Sequence, residues 1–214
     1  MIGPVYVITD PGAALSVPDQ ARAAARGGAR AVQLRDKTAS DAELLALARQ
    51  LLPEMRAHGV KLFLNDRIEV AIAAGADGLH IGQGDGDPVA IRARIGAGML
   101  LGLSIDTEAQ ARALPGCVDY IGAGPVRETA TKPDAAAPFG FDGLARIARL
   151  VAVPTLAIGG LTRADIPALK AAGVAGMAVV SAVPRAPDAA PACRALVQRL
   201  GLGEVRPRVI GRFS

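Results

Sequence analysis

The feature that most constrains the fold is the regular alternation of short apolar runs with alanine-rich segments along the chain. Eight runs of four to six residues have the continuous apolar character of strands that are covered on both faces. The predicted strands are residues 5–9, 31–35, 61–65, 78–82, 100–104, 120–123, 155–159 and 176–181. Such strands belong to parallel sheets whose connections are helices.

The segments between these runs have helical periodicity. In 41–57, for example, Leu44, Ala48, Leu51 and Leu52 lie on one stripe. Further helices are predicted at 67–74, 107–114, 141–151, 163–171 and 188–200. Eight strand–helix units in a chain of this length predict one α/β domain over residues 1–214, a closed (β/α)8 TIM barrel, with about 202–214 as a tail. An open doubly wound sheet is the alternative.

Composition excludes some classes of function. The 214 residues are 51% hydrophobic but include no Trp, 2 Tyr and 4 Phe, so the core is mainly aliphatic and no base-stacking nucleic-acid platform is expected. The net charge is +4, and the basic residues are mostly scattered along the chain, which favours small anionic substrates over nucleic acid. With no membrane-length apolar run and no signal-type start, we expect a cytoplasmic protein away from membranes.

Polar residues concentrate where the predicted strands end, and in a parallel barrel that end is the functional face. After strand two, Gln33 and Arg35 share a face and Lys37 follows in the loop. One amide and two cations suit a diphosphate, although a solvated charged strand end would have the same residues.

Two carboxylates follow neighbouring strands. Asp66 could cap the next helix or bind a cation, whereas Asp85, flanked by glycines, is not needed as a cap because Asp87 precedes Pro88 at the helix start. Facing a cationic cluster, Asp66 and Asp85 suit Mg2+ held together with substrate phosphates. No His/Cys set favours Zn2+, and Cys117 and Cys193 are expected to be reduced and structural.

Oxyanion sites are predicted at three further strand ends. Residues 124–132 place Thr129, Thr131 and Lys132 in one loop after strand six. Gly159-Gly160 and the end of strand eight lie where barrels commonly bind a phosphate group through backbone N–H groups. No Ser/His/Asp arrangement makes Ser104 a nucleophile, and His80 inside strand four is expected to be a core or lining residue.

The ordered set of these segments resembles the thiamine phosphate synthase family. The resemblance rests on short motifs that follow one another over nearly the whole chain. They are Gln33-Leu34-Arg35-Asp36-Lys37, Asn65-Asp66-Arg67, Asp77-Gly78-Leu79-His80-Ile81-Gly82-Gln83, Gly102-Leu103-Ser104, Gly124-Pro125-Val126, Thr129-Ala130-Thr131-Lys132, Ala157-Ile158-Gly159-Gly160-Leu161 and Val180-Ser181-Ala182.

The resemblance implies an enzyme that joins hydroxymethylpyrimidine diphosphate to hydroxyethylthiazole phosphate and releases pyrophosphate. The residues implied to hold the pyrimidine diphosphate are Gln33, Leu34, Arg35, Asp36, Lys37, Asn65, Ser104 and Lys132. Those implied for the thiazole phosphate are Thr129, Ala130, Thr131, Gly160, Val180 and Ser181. Asp66 and Asp85 would bind Mg2+, which is the implied cofactor.

The family's reaction is dissociative, so the diphosphate departs before the thiazole nitrogen attacks. The resemblance therefore implies that Mg2+, Arg35, Lys37 and Lys132 neutralise the leaving charge, with Ser104 among the catalytic residues and no protein nucleophile. The chain departs from the family pattern at Gly84, where Glu is usual, and at Ile105-Asp106, where the family is more polar.

Other functions remain open from the sequence. A thiazole tautomerase or regulator-like paralogue would bind thiazole phosphate without coupling, but it lacks the full diphosphate and Mg2+ set. A non-catalytic phosphate-binding barrel and another phosphate-using barrel enzyme are further alternatives. The expected partners are small phosphorylated substrates, and assembly into a homo-oligomer is compatible with the sequence.

Overall fold

A computed structural model of the chain describes residues 2–129, 131 and 136–201. Its eight strands all pair in parallel, and β1 pairs with both β2 and β8, so the sheet closes in sequence order. The strands are Val5–Ile8 (β1), Ala31–Leu34 (β2), Lys61–Asn65 (β3), Gly78–Ile81 (β4), Leu100–Ile105 (β5), Tyr120–Ala123 (β6), Thr155–Ala157 (β7) and Gly176–Val179 (β8). The prediction of a (β/α)8 barrel is confirmed, and the open sheet is excluded.

A helix follows each strand and packs on the outside. The helices are Val17–Arg26 (α1), Asp41–Ala57 (α2), Ile68–Ala74 (α3), Pro88–Ile95 (α4), Glu108–Arg112 (α5), Gly140–Leu150 (α6), Ile166–Ala172 (α7) and Ala189–Leu200 (α8). A 3-10 turn, Arg163–Asp165, leads into α7. The sequence analysis gave no bounds for α1 or α4, although it placed Asp87 and Pro88 at the start of α4. Among the described residues, no helix is long and apolar enough to span a membrane.

Local sequence accounts for several helix starts. Ser40 and Glu43 form a reciprocal capping box at α2, and Asp87 accepts hydrogen bonds from the N–H groups of Val89 and Ala90 at α4. Thr107 and Gln110 cap α5 in the same reciprocal way. These caps satisfy backbone donors that a helix cannot bond internally, so each helix begins at a defined residue.

Two hydrophobic layers stabilise the barrel. The larger layer, between strands and helices, is mainly Ala, Val, Leu and Ile, as the composition predicts. A smaller cluster fills the barrel interior and includes the rings of Tyr6, Phe63 and Tyr120. Their ring centroids lie 5.3–6.0 Å apart, so the interior is a packed core that closes the barrel below its carboxyl end.

Glycines on the neighbouring strands make room for the interior rings. Gly78 pairs with Phe63, and a Cβ at Gly78 would lie 2.0 Å from the Phe63 ring. Gly102 pairs with Tyr120, and a Cβ there would lie 2.1 Å from that ring. The two large rings therefore occupy the space that side chains at Gly78 and Gly102 would take.

Candidate active site

A cavity of ≈ 380 Å³ opens at the carboxyl ends of the strands. Polar side chains and glycines from most of the strand ends line it. Its predicted members are Gln33, Arg35, Lys37, Asn65, Asp66, Asp85, Ser104, Thr129, Thr131, Gly160, Val180 and Ser181. The barrel thus brings together side chains that lie up to about 150 positions apart in the sequence.

Two predicted ligands that the structure describes lie away from this cavity. Leu34 is buried in the layer between strands and helices, because strand alternation turns it away from the inward-facing Gln33. The Asp36 carboxylate accepts hydrogen bonds from the N–H groups of Thr38 and Ala39 and from the Thr38 hydroxyl, which closes the turn after β2. Neither side chain is therefore placed to bind a ligand in the cavity.

Ala130 and Lys132 lie outside the described residues. Their predicted roles in the thiazole phosphate site and at the leaving diphosphate stay predictions.

The cationic side of the cavity is formed by Arg35 and Lys37. Within the described part of the chain, neither side chain has a carboxylate partner within ion-pair distance, so both charges are available to a ligand. The buried Thr9 hydroxyl accepts a hydrogen bond from the Arg35 backbone N–H at 3.0 Å and fixes this strand end. Two free cations at one rim suit a ligand with several negative charges.

Asp66 and Asp85 lie on the adjacent side. Burial raises the pKa of Asp66, and the negative charge of Asp85 on the same cavity wall raises it further. Asp66 accepts from the Asn65 amide at 2.6 Å, and Asp85 accepts from the Gly82 N–H at 2.7 Å. These bonds hold both carboxylates in defined orientations at the cavity wall.

Asp66 also has an unusual backbone. With φ +50°, it is the one non-glycine residue of positive φ within the described ranges. That conformation costs an L-residue about 1–2 kcal/mol, and such strain concentrates at functional sites. Asp66 does not cap α3, since Arg67 occupies the N-cap position without a side-chain cap bond. The capping alternative is therefore wrong for Asp66, whose carboxylate lines the cavity and lies 3.4 Å from the Arg67 guanidinium.

The oxygen set suits Mg2+. Two carboxylates beside two free cations are typical of sites where Mg2+ is shared with substrate phosphates rather than enclosed by protein alone. No cluster of three or more His, Cys, Asp or Glu side chains with metal-site geometry occurs in residues 2–129, 131 and 136–201. Asp66 and Asp85 would then supply the protein ligands, with phosphate oxygens and water completing the shell.

The opposite wall is lined by glycines and threonine hydroxyls. Gly159 and Gly160 have φ values of +101° and +62°, which few residues except glycine adopt readily. Thr129 and Thr131 share a hydrogen bond of 2.8 Å between their hydroxyl oxygens and line the same space. Backbone donors and hydroxyls without a carboxylate between them suit a monoanionic or dianionic oxyanion.

An ion pair anchors the loop that carries the two threonines. The Arg127 guanidinium donates to Asp165 at 2.7 Å and lies over the Phe141 ring, 5.2 Å from its centroid. The Arg127 backbone N–H donates to the Gly159 carbonyl at 3.1 Å. The loop after β6 is thereby fastened to the β7 side of the cavity.

A chain of hydrogen bonds runs along the floor of the cavity, with its two tyrosines buried beneath, and was not predicted. It joins Gln33, Tyr6, Tyr120, His80 and Ser104, side chain to side chain. A small second cavity of ≈ 30 Å³ is lined by all five. Strand alternation could have placed the two tyrosines inside the barrel, because Tyr6 and Ile8 share one face of β1, and Tyr120 and Gly122 share one face of β6.

Comparison with known proteins identifies relatives over most of the chain. The family model described as thiamine monophosphate synthase matches residues 5–183. A thiamine-phosphate synthase of Roseiflexus sp. (strain RS-1) is 46% identical over 197 residues, covering 91% of this chain and 84% of the relative. A second, from Roseiflexus castenholzii, is 47% identical over 198 residues, covering 91% and 86%.

A solved structure agrees with these relatives. The thiamine phosphate pyrophosphorylase from Pyrococcus furiosus superimposes with a TM-score of 0.84 at 31% sequence identity. The alignment covers 92% of this chain and 95% of the other.

Proposed function

Since the chain belongs to the thiamine monophosphate synthase family and is an enzyme of thiamine phosphate synthesis, we propose how its cavity performs the coupling. It joins an aminopyrimidine carrying a diphosphooxymethyl group to a hydroxyethylthiazole phosphate and releases pyrophosphate. The observation that carries this proposal is the lining of one cavity. A carboxylate pair and two cations line one side, and glycines and threonines line the other.

The pyrimidine diphosphate is assigned to the first side. Arg35 and Lys37 bind the diphosphate, and Asp66 and Asp85 hold Mg2+ against it. When bound, Mg2+ supplies electrostatic stabilisation of the negative charge that develops on the departing pyrophosphate. Arg35 and Lys37 add fixed positive charge at the same group, which lowers the barrier to breaking the carbon–oxygen bond. Gln33, Asn65 and Ser104 orient the substrate, and Lys132 is retained as a predicted ligand of the diphosphate.

The thiazole phosphate is assigned to the second side. Thr129, Thr131, Gly160, Val180 and Ser181 surround its phosphate, with Ala130 retained as a prediction. Anchoring that phosphate aims the ring nitrogen at the methylene carbon left by the departing pyrophosphate. Holding the two reactants in one geometry removes most of the entropic cost of their encounter, so no protein nucleophile is required.

The class of substrate and the cellular compartment follow from the same assignment. The enzyme acts on small phosphorylated substrates, and we propose that it does so in the cytoplasm, where phosphorylated biosynthetic intermediates are retained. Assembly into a homo-oligomer stays a prediction.

The test is a direct assay with a matched pair of variants. Purified protein, both substrates and Mg2+ should give thiamine phosphate and pyrophosphate in equal amounts. Asp85→Asn should lower kcat/KM by about 100-fold or more, in line with the several kcal/mol that a bound divalent ion contributes, and raising Mg2+ should restore part of it. Asp87→Asn is the control two residues away, because Asn caps α4 as Asp does.

Two results would contradict the proposal. Absence of product in conditions where an authentic synthase works would refute coupling itself. Equal Mg2+ dependence of the wild-type protein and Asp85→Asn would remove Asp85 from the metal site while leaving the coupling reaction intact.

A further inference from the structure

The hydrogen-bond chain along the floor of the cavity has both of its ends at the substrate site. Gln33 Nε2 lies 3.0 Å from Tyr6 Oη, which lies 3.1 Å from Tyr120 Oη. Tyr120 Oη lies 3.0 Å from His80 Nδ1, and His80 Nε2 lies 3.0 Å from Ser104 Oγ. Gln33, His80 and Ser104 line the large cavity, whereas Tyr6 and Tyr120 are 1% and 2% exposed.

With Gln33 Nε2 as the donor to Tyr6, giving every hydroxyl hydrogen an acceptor leaves one direction for the chain. Gln33 donates an amide hydrogen to Tyr6, so the single hydroxyl hydrogen of Tyr6 is free to go to Tyr120. Tyr120 then donates its own hydrogen to Nδ1 of His80. A neutral imidazole that accepts at Nδ1 carries its hydrogen on Nε2, and that hydrogen goes to Ser104 Oγ.

The direction determines what each end offers to a ligand. Ser104 Oγ already accepts from His80, so its own hydrogen is left for an acceptor in the cavity. Gln33 uses its NH2 group to donate to Tyr6. In the described part of the chain, no buried side-chain oxygen or nitrogen lacks a hydrogen-bond partner, so the Gln33 carbonyl oxygen is not left buried and unpaired. The cavity therefore meets a hydrogen-bond donor at Ser104 and an acceptor at Gln33.

We propose that His80 is a positioning residue for the coupling reaction, held by Tyr120 in the Nε2–H tautomer so that Ser104 is a fixed donor toward the substrate. This inference rests on the proposed function, because that assigns the pyrimidine diphosphate to Ser104 and Gln33. Diphosphate oxygens accept hydrogen bonds and never donate them when ionised, and an exocyclic amino group donates. A donor at Ser104 and an acceptor at Gln33 match those two groups.

Reversal of the chain would mismatch both ends together. With the Gln33 amide turned over, each hydroxyl hydrogen would point the other way, and Ser104 would donate to His80. Its lone pairs would then face the diphosphate oxygens, and the Gln33 NH2 would face the amino group of the pyrimidine. The orientations of Gln33 and Ser104 are thus coupled through His80 and the tyrosines, and the substrate contacts both residues.

The tautomer can be observed directly. The chain contains only two histidines, His58 and His80, so nitrogen-15 spectra of the imidazoles are assigned with one variant, His58→Gln. At neutral pH in the free enzyme, His80 should carry its proton on Nε2, with Nδ1 unprotonated. In Tyr120→Phe, Nδ1 loses its donor, and a mixture of both tautomers is expected.

Kinetics separate positioning from packing by a double-mutant cycle. Tyr120→Phe should lower kcat/KM for the pyrimidine diphosphate about tenfold, the effect of weakening one hydrogen bond to a charged group, and leave KM for the thiazole phosphate unchanged. In a Ser104→Ala background the same change should cost less than about twofold. Phe63→Leu is the control, because Phe63 packs on both tyrosines without hydrogen bonding and should leave the tautomer unchanged.

Three outcomes decide between the ideas. A proton on Nδ1 of His80 in the wild-type enzyme would overturn the inference. So would an equal cost of Tyr120→Phe with and without Ser104, since that result indicates a purely structural role. A wild-type protein with the expected tautomer but no coupling activity would refute the proposed function and leave the direction of the chain standing.

Discussion

The carboxylate of Asp165 joins two elements that border the glycine- and threonine-lined wall, and its replacement by Asn tests that connection. One carboxylate oxygen accepts from the Arg127 guanidinium at 2.7 and 3.0 Å. The other accepts from the Thr162 backbone N–H at 2.8 Å and from the Thr162 hydroxyl at 3.1 Å. The Asp165 side chain is 4% exposed, so water cannot easily replace these bonds.

The arrangement sets the size of the expected effect. Four donor bonds converge on two acceptor oxygens, and Asn keeps only one of those oxygens. If its NH2 group faces Thr162, a backbone N–H loses its acceptor, which costs about 1–3 kcal/mol when buried. The weaker bond to Arg127, whose side chain is 53% exposed, adds no more than about 1 kcal/mol after screening by solvent. We therefore expect Asp165→Asn to lower the free energy of unfolding by about 2 kcal/mol.

Urea denaturation measures this change. A loss of about 2 kcal/mol should lower the urea midpoint by about 1 M at an unchanged slope. Asp19→Asn is the matched control, because Asp19 also pairs with an arginine but is 53% exposed, and its urea midpoint should stay close to that of the wild type. Equal midpoints for the two variants would refute the reasoning that a buried acceptor, rather than an ion pair as such, stabilises this corner.

The pH dependence gives a second check on the same residue. Burial alone would raise the pKa of Asp165, but the hydrogen bonds from Thr162 and Arg127 outweigh it and hold that pKa below its ordinary value. Stabilisation by a group with a lowered folded-state pKa is complete above the unfolded pKa, near about 4, and is lost as the pH falls through the folded pKa. The difference between wild type and Asp165→Asn should therefore be constant from pH 6 to 8 and shrink below about pH 4. A difference that grows in acid would contradict this sign.

Two glycine substitutions test the steric side of the structure. Gly160→Ala should raise KM for the thiazole phosphate by about tenfold or more and change KM for the pyrimidine diphosphate little. A Cβ at Gly160, where φ is +62°, would lie 2.3 Å from the Glu128 carbonyl oxygen and displace the wall that contacts the phosphate. An unchanged KM for the thiazole phosphate in steady-state kinetics would remove Gly160 from that site. Gly78→Ala should lower the free energy of unfolding by about 1–3 kcal/mol through overpacking against Phe63. Gly98→Ala is the control, because a Cβ there would meet no atom within 4 Å and Gly98 has no positive φ; equal urea midpoints for the two variants would refute the overpacking.

The fold was predictable from the sequence because its signals are local. Each apolar run between alanine-rich segments indicates a strand covered on both faces. Eight such strands alternating with helices are compatible with few folds besides a closed barrel. The start of α4 at Pro88 followed from Asp87, a cap that acts within three residues. Helix α1 was not predicted, although Ser16 caps it and Ala21, Ala23, Ala24 and Ala25 are buried along it.

The site was predictable only in part, because several of its properties depend on long-range contacts. Strand-end position brought Arg35, Asp66 and Asp85 to the cavity as expected, since all parallel strands end on the same face. Leu34 and Asp36 were included because they lie inside a motif, and the motif did not show which way each side chain turns. The bond between Tyr6 and Tyr120 joins residues 114 positions apart, and no local pattern reports such a contact.

The pairing of interior rings with glycines on a neighbouring strand has a consequence for how this barrel can change through evolution. Alanine at Gly78 is harmful while Phe63 is present, and a smaller residue at 63 leaves a void while Gly78 stays. Each single step lowers stability, whereas the two together can conserve volume. Positions 63 and 78 should therefore show sign epistasis and change together rather than one at a time. The same holds for Gly102 and Tyr120, with the added condition that any replacement at 120 must keep a hydroxyl for His80.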